Sequence, residues 1–173
     1  MNLRETLLAV HSKVQSDKVV KWIGSSQQRF DELFKLFISD EYLIVTRAAW
    51  PLSYAVQAYP DLIKKHFSNF VRNLQRPNLH DAAKRNSMRI LQEISIPRRF
   101  QGEIMNTCFA YISDPAEKPA VKAFSFTVLQ NLARQYPDIR NELKLVIETQ
   151  WENESAAFRS RAKKILKEIK DKN

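Results

Sequence analysis

The stretch 45–71, VTRAAWPLSYAVQAYPDLIKKHFSNFV, sets apolar residues at Val45, Leu52, Phe67, Phe70 and Val71. Shifted by 38 residues the same register reads Ala83, Ile90, Met105, Cys108 and Phe109, and shifted by 76 it reads Val121, Val128, Leu143, Val146 and Ile147. Apolar spacings of three and four residues mark one face of a helix, and each period holds two such faces. A unit of this size buries its inner face only against its neighbours, so the units must stack. The expected fold class is all-α: a right-handed α-solenoid of about four helix pairs with a C-terminal capping helix.

Working outward from that stretch, the periodicity predicts helices over 3–21, 27–38, 41–58, 61–75, 80–95, 98–112, 117–135, 138–152 and 155–171. Pro60, Pro97 and Pro137 fall between the members of a pair, where a proline in a first helical turn loses no needed hydrogen bond. Ser39-Asp40, Pro77-Asn78, Ser113-Asp114-Pro115 and Asn153-Glu154-Ser155 supply turn and N-cap chemistry between pairs. Pro119 suits a first turn, whereas Pro51 interrupts a strong helical pattern and is expected to kink it or free a carbonyl near Arg47. The whole chain, 1–173, is expected to be one cooperative repeat domain with units near 1–38, 39–76, 77–113 and 114–152 and a cap over 153–173.

Composition narrows the function classes. Two glycines, Gly24 and Gly102, leave no Gly-rich phosphate loop, and no Gly-x-Ser-x-Gly elbow is present. His11, His66 and His80 never fall at the i, i+4 spacing of a zinc pair, and Cys108 is a single cysteine, expected on a buried column. No metal, cofactor or catalytic set is therefore expected. With no secretory pattern at the amino terminus and no run of roughly 18 apolar residues, a cytoplasmic, non-membrane protein is the expectation, monomeric by default. The 28 Lys and Arg against 19 Asp and Glu give +9, which favours polyanions or acidic protein surfaces.

Asp40 followed by Val45, Arg47, Ala48, Ala49 and Leu52 resembles the HEAT-repeat motif, in which a turn aspartate precedes a valine, a basic residue, small residues and a leucine. Asp114-Pro115 with Val121-Lys122-Ala123, and the run Arg161 to Leu166, resemble it again, so that the likeness covers about 26–170. Thr46-Arg47-Ala48-Ala49-Trp50 is also similar to segments of the HEAT-like DNA alkylation repair glycosylases. That second resemblance implies DNA binding without catalysis, since the family's tryptophan and aspartate set has no residue-by-residue match here.

The HEAT resemblance implies a scaffold, and the candidate contacts follow from it. Second helices normally line the concave surface, which nominates Lys65, Arg72, Asn106 and Lys144, with Arg98 and Arg99 at the rim, for an acidic protein or peptide partner. The competing reading is nucleic-acid binding through Lys84, Arg85, Arg89, Arg98 and Arg99. Arg47, Arg85 and Arg161 repeat at 38 and 76 residues, with Ala123 at the missing place and Lys122 beside it. They form either a ladder to the turn residues Asp40, Asp81 and Asp114 or a row of cations along a groove. The second-helix faces are mixed in sign, with Glu103 and Glu148 among Lys65, Arg72 and Lys144, which disfavours a continuous phosphate channel there. The cations of the last helix, Arg159 to Lys172, are expected to solvate the end of the array. Trp22 and Trp151 are the tryptophans expected to be exposed.

Overall fold

The computed structural model describes residues 1–170; Lys172, and with it the last residue of the helix expected over 155–171, lies outside them. Among the described residues every regular element is helical: α1 (Leu3–Ala9), α2 (Lys13–Ile23), α3 (Gln27–Phe37), α4 (Tyr42–Ala58), α5 (Phe67–Leu74), α6 (Asp81–Leu91), α7 (Arg98–Ser113), α8 (Pro119–Leu132), α9 (Ile139–Gln150) and α10 (Ala156–Lys170). Short 3-10 segments, Pro60–His66 and Trp151–Asn153, precede α5 and follow α9. None of these helices is long and apolar enough to cross a membrane.

Two expectations of continuity fail, each for a local reason. The helix expected over 3–21 is two helices, because Val10 and Ser12 are extended and the Ser12 hydroxyl accepts the Gln15 N–H at 3.1 Å. A side-chain cap of this kind gives the backbone an alternative to helix continuation. Gln15 then donates its own amide to the Thr6 carbonyl at 2.6 Å, fastening α2 to α1. The helix expected over 61–75 opens as a 3-10 segment behind Pro60 and becomes α-helical only at Phe67. Helix α4 runs through Pro51, which is buried and has no N–H to give the Arg47 carbonyl.

The chain forms two compact units, Met1–Ile94 and Ser95–Asn173. In the first, α4 is the centre: α1, α2, α3, α6 and the first 3-10 segment all pack on it. Buried residues at Ile44, Val45, Ala48, Ala49, Leu52, Ala55 and Val56 leave α4 almost no polar face, as a surrounded helix requires. In the second unit α8 holds that place, packed on α7 and α10, while α9 packs on α7 and α10.

The repeat columns of the first unit are buried throughout: Val45, Leu52, Phe67, Phe70, Val71, Ala83 and Ile90. In the second unit Cys108, Val121, Val128, Leu143 and Ile147 are buried, but Met105, Phe109 and Val146 are half-buried. Helix α7 turns a different stripe inward, Gln101, Ile104, Cys108 and Ile112. The polar member explains the rotation, for the Gln101 amide donates to the Ile96 carbonyl at 3.0 Å and accepts from the Tyr136 hydroxyl at 2.6 Å. A glutamine so satisfied can be buried without loss.

Candidate functional site

The expected ladder of arginines onto turn aspartates does not form. Asp40 is taken instead by Arg76, at the end of α5, which also donates to the Ile38 carbonyl at 3.1 Å. Asp114 caps the Ala116 N–H at 2.8 Å. Among the described residues no ion pair joins Arg47, Arg85 or Arg161 to Asp40, Asp81 or Asp114, and one buried guanidinium nitrogen of Arg47, Nη1, has no hydrogen-bond partner. Lys122 is no groove cation either. Its side chain is 2 % exposed, paired with Glu154 and 5.7 Å from the ring of Phe158.

The candidate residues divide between the two units. Lys65, Arg72, Lys84, Arg85 and Arg89 belong to the first, Arg98, Arg99, Asn106 and Lys144 to the second. Lys65 is engaged at 2.5 Å with Asp31, which also accepts from Gln27 at 2.8 Å and meets Nε2 of His66 at 2.5 Å. Burial by itself would raise the Asp31 carboxyl, but the hydrogen bonds from Lys65, Gln27 and His66 outweigh it and bring it down to about 2. The His66 ring is stacked on Phe34 at 4.3 Å, so this cluster latches the 3-10 segment to α3. Sequence reading missed it because Asp31 and His66 are 35 residues apart and neither sits on a repeat column.

Arg72 opens on a cleft lined by Ile38, Asn69, Asn73 and Arg76, with a volume of about 270 Å³. Asn73 and Arg76 also line an adjoining cleft of about 250 Å³ with Phe37, Tyr42, Val45 and His80. Asn73 is 5 % exposed, and its amide nitrogen is buried without a partner. An unpaired buried donor of this kind costs about 1–3 kcal/mol. In the second unit Asn106 is exposed, Lys144 lies 3.8 Å from Glu148, and Arg99 sits over the ring of Phe100 at 4.6 Å.

A second gathering lies on the other side of the first pair. Arg47, Trp50 and Tyr54 fall on one face of α4, Arg85 and Arg89 on one face of α6, and Arg89 lies 4.7 Å over the Tyr54 ring. His11, in the break between α1 and α2, meets Trp50 edge to face at 5.7 Å. Burial, with the charges of Arg47 and Arg85, holds the His11 imidazole below its ordinary value. Hydrogen bonds from Trp50 and Arg89 likewise hold the Tyr54 phenol low. Of the tryptophans expected to be exposed, Trp22 is half-buried with the Arg29 guanidinium 5.2 Å from its ring, and Trp151 is half-buried with the Lys163 ammonium 6.0 Å away.

A family model described as a HEAT repeat domain matches residues 3–169. No curated protein and no solved structure matches the chain.

Proposed function

Because the chain belongs to the HEAT repeat family, we propose that it is a non-catalytic scaffold that takes an acidic peptide segment in the cleft of α5. The observation that carries this reading is Asn73: a buried amide donor with no partner, in a cleft whose other polar groups are Asn69, Arg72 and Arg76. A carboxylate or main-chain carbonyl entering there meets the guanidiniums of Arg72 and Arg76, and the Asn73 amide, buried behind them, gains an acceptor if the side chain turns toward the ligand. Arg76 spends one nitrogen on Asp40 and one on Ile38, so it fixes the wall, while Arg72, bonded at 3.4 Å to Asn69 alone, is the guanidinium available to a ligand. The 3-10 segment and its Asp31 latch set the entry to α5 and hence the direction of these side chains.

Of the four second-helix candidates, Arg72 is the one this cleft employs. Lys65 is committed to Asp31, and Asn106 and Lys144 belong to the second unit. Nucleic acid suits the cleft less well, since each phosphate contact needs its own cation and, with Arg76 paired to Asp40, Arg72 is the cation the cleft offers.

The test is fluorescence anisotropy with a labelled synthetic peptide alternating glutamate and leucine, at low salt. Salt-sensitive binding that Arg72→Glu abolishes and Lys144→Glu leaves in place supports the cleft. Binding indifferent to Arg72→Glu, or none at all, overturns it.

A further inference from the structure

The face shared by α4 and α6 carries more positive charge than its own acids neutralise. Arg47 and Arg85 stand on the packed helices α4 and α6, on the faces that carry Trp50, which meets His11, and Arg89, which lies over Tyr54. Neither forms an ion pair among the described residues, and Nη1 of Arg47 is buried without a hydrogen-bond partner. Arg89 closes the arrangement by lying over Tyr54, one turn beyond Trp50 on the Arg47 face. The nearby acid Asp17 is already held by Lys13 at 3.0 Å. Folding brings these like charges together, and Asp81, one turn before Arg85 on α6, forms no ion pair with them among the described residues.

We propose that Arg47 and Arg85, with His11 and Arg89 at its edges, form a binding site for a phosphate group. The donor count selects phosphate over a carboxylate. One guanidinium fork satisfies both oxygens of a carboxylate, whereas two forks from different helices match the several oxygens and larger charge of a phosphate. The imidazole can donate or accept at the same oxygens. Trp50 and Tyr54 wall one side with aromatic surface, which suits a phosphate attached to a sugar and base. The site lies apart from the α5 cleft and does not depend on it.

The phosphate can be free or carried on a nucleic-acid backbone, and the experiment separates the two. His11 ring signals are followed by NMR while inorganic phosphate, then a short DNA duplex, is added at low salt to the full chain, with His11→Gln to assign them. Phosphate is expected to move the His11 signal and raise its pKa, because a bound anion offsets the field of the two guanidiniums. Arg85→Gln, an exposed substitution, should weaken the effect about ten- to hundredfold, as losing a charge-assisted hydrogen-bonding partner does, and Arg47→Gln should do the same. Arg72→Glu, which destroys the peptide cleft, should leave it unchanged. A duplex that displaces phosphate and moves the same signal assigns the site to a backbone phosphate; a signal answering to phosphate alone assigns it to a free phosphate. A His11 signal that neither ligand moves, or that moves equally in Arg85→Gln, overturns the proposal.

Discussion

Replacing Glu154 by leucine isolates the buried ion pair of the second unit. The Lys122 side chain is 2 % exposed and that of Glu154 11 %, so the variant leaves an ammonium with little water and, as its nearest remaining charge-stabilising group, the Phe158 ring at 5.7 Å. Breaking a buried pair by removing one partner costs about 3–5 kcal/mol. Lys122→Met with Glu154→Leu removes both charges and should restore wild-type stability or exceed it, by up to about 4 kcal/mol over a neutral change. The exposed pair Lys144 and Glu148, 3.8 Å apart, is the control, and losing it should cost about 0–0.5 kcal/mol.

Trp151 is the tryptophan of the second unit, and with Trp22→Phe and Trp50→Phe as background its fluorescence reports that unit alone during urea unfolding. A single variant that loses less than about 1 kcal/mol, with no rescue in the double variant, would mean that the pair behaves as a surface contact and would refute the burial argument.

Val128 is fully buried on α8, so Val128→Asp should destabilise the second unit by more than about 4 kcal/mol, whereas Lys167→Ala, on an exposed position of α10, should change it by less than about 0.5 kcal/mol; urea midpoints compare the two. Asp31, with its carboxyl held near 2 in the fold, contributes stability that is fully present above the unfolded value of about 4 and is lost as the pH falls through 2; acid titrations by circular dichroism should show this loss weakened in Asp31→Asn. Burial pushes the Cys108 thiol up to about 12, so it should resist a thiol reagent in native buffer and react at once in denaturant, and fast native labelling would contradict its place in the core.

The 38-residue columns made the helices and their inward faces legible, because burial on a helix imposes a periodicity that a sequence must carry. Val45, Leu52, Phe67 and Phe70 needed no more than spacing to be placed in the core. Boundaries were less legible where a side-chain cap decided them, as at Ser12, since serine inside an apolar pattern reads equally well as a solvent position. The polar sites were the least legible. Arg47 reads as the basic residue of a repeat ladder, yet Asp40 goes to Arg76, and nothing in the sequence around Asn73 marks an unpaired amide.

What the sequence determined by itself is the all-helical repeat, its register outside α7 and its positive charge, for these depend on local spacing and on composition. What only the tertiary structure decided is which charges find partners: Lys122 with Glu154, Lys65 and His66 with Asp31, and Arg76 with Asp40, while Arg47 has no ion pair among the described residues. Those choices turn on distances of a few ångströms between groups more than 30 residues apart, and on whether water reaches them, neither of which a linear pattern encodes.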